Sequence, residues 1–181
     1  MRLIWVHIFL LLCISCGEPK EKDRSLPDAG TAARRQYDDA KYVAKVYGSL
    51  ATQDELQHIA LRRSRNERIK KLAQKLVQSY NELRHKIEQV AAVQKLALDP
   101  ALRFDQENHI EFLQKEPLNT FDVEYLNILV REHEMFVKDF ARTGVNSDNA
   151  MVQSLAHEVL ALMRANLTFI EHEREVYAAS E

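Results

Sequence analysis

Residues 69–94 read IKKLAQKLVQSYNELRHKIEQVAAVQ. Ile69, Ala73, Leu76, Tyr80, Leu83, Ile87, Val90 and Gln94 step along this stretch by alternating fours and threes. That spacing draws one stripe down a helix for about four heptads, the seam of a helix packed in a bundle. No Gly or Pro interrupts it. Asn66 is placed to cap its start, after a break at Ser64-Arg65-Asn66. Its end is predicted near Ala97, ahead of Asp99-Pro100.

The pattern extends in both directions. Between 38 and 65 there is no Pro and one Gly, and Val43, Val46, Tyr47, Leu50, Ala60 and Leu61 share roughly one helical face. Residues 98–121 form a long connection in which His109 to Gln114 is expected as a short helix. Pro117 and Asn119-Thr120 set up a third long helix with the face Leu126, Leu129, Val130, His133, Phe136, Val137 and Phe140. Thr143-Gly144 is its expected stop. Asn146 or Ser147 is expected to cap a fourth helix, whose seam is Val152, Leu155, Val159, Leu162, Met163, Asn166, Phe169, Ile170 and Tyr177. Four such amphipathic helices bury their stripes best against one another. The expected fold is therefore all-α, a four-helix bundle covering residues 34–181, with a long connection between its second and third helices whose length fits a ferritin-like crossover or an inserted short helix equally.

Composition agrees. The chain has 181 residues, 46% hydrophobic and 29% charged, with four Gly and four Pro. A β-sandwich or barrel with many tight turns needs more punctuation than that. A net charge of −2 supplies no general field for nucleic acid, which is not expected as a partner.

The N-terminus carries an address. Arg2 precedes an apolar run over 3–14, broken only by His7. The run is short for a bilayer span and fits a signal-peptide core. Leu12-Cys13-Ile14-Ser15-Cys16 then resembles a bacterial lipobox, with Cys13 where Leu is usual. Residues 1–15 are thus expected to be a lipoprotein signal peptide, and Cys16 the lipidated residue that ties the chain to a membrane. Residues 16–33 read as that cysteine and a flexible linker, with Pro, Gly and charges of both signs. Cys13 falls in the expected signal peptide and Cys16 at the lipidation site, so the folded part has no cysteine and must be held by its core. Gly17, rather than Asp, after the cysteine resembles outer-membrane sorting, which places the domain in the periplasm or at the cell surface.

Chemical motifs are sparse. Glu55-x-x-His58 and Glu82-x-x-His85 have di-metal ligand spacing. With 27 acidic residues and seven His in the chain, about one such spacing arises by chance. The phase set by Tyr80 and Leu83 also turns Glu82 and His85 away from the core. No phosphate loop, nucleophile elbow or His-Glu-x-x-His motif is present. Arg62-Arg63-Ser64-Arg65 with Arg68, Lys70 and Lys71 reads as a solvated bundle end. More telling are polar residues at core positions: Tyr80, His133, Asn166, and Gln53 or Gln57. Buried polar groups need hydrogen bonds. They are expected to be satisfied locally, with His133 paired to Tyr80 or Asp122. No metal and no cofactor is assigned to them.

Phe121-Asp122-x-x-Tyr125 followed by Val130-x-x-His133-Glu134 resembles the hallmark of the bacterial family called domain of unknown function 4142. Gln53-Asp54-Glu55-Leu56 with Ile59-Ala60 is similar to that family's early acidic helix, and the resemblance covers about residues 38–176. It implies a ferritin-like bundle and an outer-membrane setting. Of the family's three recurrent core histidines only His133 is matched. Tyr80, in Val77-Gln78-Ser79-Tyr80, and Asn166, in Met163-Arg164-Ala165-Asn166-Leu167, replace the others, and Gln53 stands where Glu is common. His133, Tyr80, Asp122, Tyr125, Asn166 and Gln53 together form the candidate polar core site. The expected function is a lipid-anchored, non-catalytic binding or structural module of the bacterial envelope, with an envelope protein as its candidate partner. The alternative is a ferritin-like metal-binding or redox stress protein, with a site at His133 and Asp122, Glu132 or Glu134.

Overall fold

The computed structural model describes residues 29–98, 104–141 and 144–180. The expected signal peptide, Cys16, Gly17 and the linker up to residue 28 lie outside the described residues, as do Pro100 and Thr143. The described residues are all-helical, with five α-helices among them: α1 (Ala29–Arg63), α2 (Glu67–Gln94), α3 (Phe104–Lys115), α4 (Phe121–Phe140) and α5 (Ala150–Ala178). A 3-10 turn at Gly144–Asn146 precedes α5, and no strand occurs among the described residues. Nor, among them, is any helix long and apolar enough to cross a membrane.

Side-chain contacts give the directions. Arg68 at the start of α2 meets Glu173 near the end of α5, and Asn149 before α5 donates to Gln94 at the end of α2. Lys45 early in α1 meets Asp139 late in α4, while Gln57 later in α1 meets Tyr125 early in α4. Each of the four long helices is therefore antiparallel to its neighbours, and they close a ring in the order α1, α2, α5, α4. This leaves α2 and α4 diagonal and running the same way. The connection between them must return along the whole bundle, which explains its length. α3 lies in that return and packs on α1 and α4, with Leu113 fully buried against them.

The seam of α2 is buried as its spacing requires: Ile69, Ala73, Leu76, Tyr80, Leu83, Ile87 and Val90 all face the core. Gln94 does not. It sits at the helix end and bonds Asn149. Asn66 caps α2, its side chain accepting from the Arg68 N–H at 2.9 Å.

Several boundaries differ from expectation. α1 begins at Ala29, not at residue 34, since Pro27 is the last breaker and the Ala-rich start favours helix. Residues 30–38 of it are exposed. α2 stops at Gln94, short of Ala97, because Lys95 turns left-handed at φ 54° and ψ 41°. The Lys95 N–H then reaches Ala92 O and the Leu96 N–H reaches Ala91 O at 2.9 Å, a Schellman closure without glycine. α4 ends at Phe140 rather than at Thr143-Gly144, and Gly144 opens the 3-10 turn instead of capping a helix. The cap of α5 is Asn149, which accepts from Met151 and Val152, while Ser147 accepts from the Asn149 N–H. Ser147 also donates to Asp39 of α1 at 2.6 Å, so this side chain, expected as a cap, pins the turn to the bundle.

Leu76 and Leu83 lie at the centre of the seam, 0% and 3% exposed. Leu76→Ala or Leu83→Ala is expected to lower stability by about 2–5 kcal/mol, the cost of a lost transfer term plus a cavity. Denaturant unfolding against an exposed Lys71→Ala control checks this; equal effects would mean a wrong phase for α2.

Candidate functional site

Polar side chains from all four long helices meet in the core. Gln53 and Gln57 come from α1, Tyr80 from α2, Tyr125 and His133 from α4, and Asn166 from α5. All but Asn166 are 0% exposed, and Asn166 is 8% exposed. Helix periodicity puts them there. Gln53 and Gln57 are one turn apart on one stripe of α1. Tyr80 occupies a seam position of α2, and His133 lies two turns beyond Tyr125 on the buried face of α4.

His133 is fully committed. Its Nδ1 lies 2.7 Å from the Leu129 carbonyl oxygen, and its Nε2 lies 2.7 Å from the Tyr80 hydroxyl oxygen. A carbonyl only accepts, so Nδ1 carries the proton and Nε2 accepts from the Tyr80 O–H. Burial pushes the imidazole down to about 4 from its usual 6.5, against a smaller upward effect of the Leu129 carbonyl. It is neutral at pH 7. Burial pushes the Tyr80 hydroxyl well up, with a hydrogen bond from Asn166 the smaller, opposing effect. Asn166 also points at Ser79, Nδ2 to Oγ 3.4 Å.

Tyr125 donates to Gln57 Oε1. Burial raises its hydroxyl well above the usual phenol value, and the nearby Tyr80 and Asp122 add to the effect. Asp122 is half-buried one turn before Tyr125, at the start of α4. Gln53 has no protein partner at either Oε1 or Nε2, and Gln57 has none at Nε2. The layer is thus built from neutral groups, with Asp122 at its edge.

The acidic residues named for a metal do not gather round His133. Glu132 is 3% exposed and is paired with His109 of α3, Oε1 to Nδ1 2.5 Å. Glu134 is exposed on the other side of α4. Among the described residues no three His, Cys, Asp or Glu side chains converge as a metal would need. Glu82 and His85 are exposed, and Glu55 is bridged to Arg62 at 3.1 Å. His109 was not legible as a site residue. Its partner Glu132 lies on another helix, and pairing across helices leaves no mark in the spacing of either residue.

The basic cluster is not simply a solvated end. Arg63 donates to the carbonyls of Leu113, Gln114 and Glu116, and its guanidinium lies 5.0 Å from the centre of the Phe121 ring. One side chain therefore ties the end of α1 to the end of α3 and the start of α4. Arg68 holds Glu173 with two nitrogens, and Lys70 pairs with Glu67. At the opposite end, a cleft of about 500 Å³ is lined by Arg35, Asp38, Asp39, Tyr42, Lys45 and Ser147. In it Arg35 pairs with Asp148, Lys45 pairs with Asp139, and Asp39 accepts from the Ser147 hydroxyl.

These features define a helical-bundle protein with a neutral polar layer in its core. Residues 24–172 match the family described as Domain of unknown function (DUF4142), and the chain belongs to that family. Its structure is similar to the crystal structure of a DUF305 fragment from Deinococcus radiodurans, with a TM-score of 0.68 at 16% identity. The likeness covers 75% of this chain and 93% of that one, and it concerns the fold alone. Comparison with curated proteins finds no match.

The depressed imidazole makes stability depend on pH with a definite sign. In the unfolded chain His133 takes a proton near 6.5, while in the folded chain it resists until about 4. Between those values the unfolded state binds more protons, so stability falls as pH drops from about 6.5 to about 4 and is level below. The loss attributable to His133 is on the order of 3 kcal/mol. His133→Asn is expected to weaken folding at pH 7 and to flatten this part of the profile. Denaturant midpoints of both proteins across the window check it; parallel profiles would sink the assignment. Tyr80→Phe is expected to cost about 1–3 kcal/mol by leaving Nε2 buried without a donor.

Proposed function

We propose that this protein is a lipid-anchored envelope protein, held by acylated Cys16, whose domain is a ferritin-like four-helix bundle used as a non-catalytic binding or structural module. The observation that carries the non-catalytic reading is His133, the one histidine of the polar layer. Both of its ring nitrogens are engaged inside the protein, and it is 0% exposed. A general base needs a free lone pair within reach of substrate, and a metal ligand needs the same. Tyr80 occupies the nitrogen that either role would use. The antiparallel ring and the return connection carrying α3 support the ferritin-like arrangement.

The anchor rests on the chain's own pattern: an apolar run that stops at Ser15-Cys16, then a polar segment. Each buried CH₂ contributes about 0.8 kcal/mol, so a multiply acylated cysteine holds a chain stably at a bilayer. Gly17 favours the outer membrane. The tether would set the domain off the surface, where its partner is another envelope protein.

Cys16→Ser is expected to abolish acylation and to release the protein from membranes or leave it unprocessed. Mass spectrometry and membrane fractionation read the result; unchanged mass and unchanged fractionation would exclude the anchor. The purified protein is expected to keep its melting temperature in chelator. Stoichiometric iron, zinc or manganese lost on His133→Asn would instead favour a metal-binding role.

A further inference from the structure

Gln53 is a buried amide matched at neither of its two polar atoms. Its side chain is 0% exposed, yet neither Oε1 nor Nε2 has a protein partner. One turn along the same stripe, Gln57 is equally buried and lacks a partner only at Nε2, since its Oε1 accepts from Tyr125. Buried amide groups without partners are rare in folded proteins, and ordered water is the usual resolution.

The chemistry narrows what can sit between them. Gln53 Oε1 needs a donor, while Gln53 Nε2 and Gln57 Nε2 need acceptors. A cation would satisfy the oxygen and be repelled by both amide NH₂ groups. An anion would satisfy the NH₂ groups and be repelled by the oxygen. An apolar guest would satisfy none. A water molecule donates and accepts at once. Residues i and i+4 have Cβ atoms about 5–6 Å apart, and one water with hydrogen bonds of about 3 Å can bridge two such side chains.

We propose that Gln53 and Gln57 form an internal site for ordered water. The bound water extends the Tyr125–Gln57 bond, which already links α4 to α1, back along α1 to Gln53. Because the site needs both a donor and an acceptor, it selects a neutral guest. This inference does not rest on the membrane anchor and stands or falls apart from it.

Water-selective NOE and rotating-frame spectra of ¹⁵N-labelled protein test it, the rotating-frame experiment separating dipolar contact from hydrogen exchange. The expected result is a dipolar cross peak from water to the side-chain amides of both Gln53 and Gln57. Gln53→Leu, which fills the space without polar atoms, is expected to remove the peak at Gln57. Absence of both peaks in the unaltered protein would overturn the proposal, and that measurement needs no variant to fold. A Gln57 peak unchanged in Gln53→Leu would overturn it too. So would a rise in melting temperature with sodium, potassium or calcium that Gln53→Leu abolishes, since a cation would then hold the site.

Discussion

The hydrogen bond from Tyr80 to His133 joins two helices that lie on a diagonal of the ring. α2 and α4 face each other across the core of the ring. A phenol and an imidazole meet there at 2.7 Å. The Leu129 carbonyl fixes the imidazole one turn back on its own helix, and so fixes which nitrogen faces Tyr80. With that bond in place, sliding α2 or α4 by one residue would leave two fully buried polar groups unmatched. Leucines along the seams tolerate small shifts of register; this pair does not. The network therefore contributes specificity of packing as much as net stability, because a satisfied buried hydrogen bond adds only about 1 kcal/mol while an unsatisfied group costs more.

A second constraint follows from the parallel course of α2 and α4. The chain must return from one end of the bundle to the other before α4 can start. α3 lies on that return, and it is a poor helix by itself, short and mostly polar. Leu113 sinks into the groove of α1 and α4, Glu132 meets His109, and Arg63 takes carbonyls at its C-terminal end. The last carbonyls of any helix lack intrahelical partners. Here a distant arginine supplies them, and the same guanidinium stacks over Phe121 at the start of α4. Packing of the crossover and the entry angle of α4 are thus coupled through one residue.

Much of this was legible in the chain, for physical reasons that differ by element. The seam of α2 could be read because burial acts on side chains at a fixed period, and the period is written in residues 69–90. Tyr80, His133, Asn166 and Gln53 could be placed in the core by phase alone. Which of them meet could not, since pairing depends on relative rotation and rise of helices far apart in sequence. The same holds for Glu132 with His109 and Arg63 with α3. Helix ends were read worst. Lys95 adopts a left-handed conformation that costs roughly 1–2 kcal/mol for a residue with a Cβ, so no glycine marks the stop. Asn149 caps α5 where Asn146 and Ser147 offered equally good chemistry; the 3-10 turn before it decides the choice.

Histidines at positions 80 and 166, the residues that the family resemblance leads one to expect there, would give the layer a different chemistry from that of Tyr80 and Asn166. Imidazole, phenol and carboxamide all span similar distances and all form hydrogen bonds, so a bundle can exchange them without losing its polar layer. What changes is the electronic character. Three imidazoles offer lone pairs to a cation, while a phenol donates its proton into the single imidazole left. Burial then keeps that imidazole neutral and both tyrosines protonated. A layer of this kind has no charge to titrate near pH 7 and no free lone pair on its histidine. Its hydrogen-bonding capacity is directed inward, toward helix registration, while the Gln53 and Gln57 side chains keep two donors and an acceptor that a neutral molecule can match.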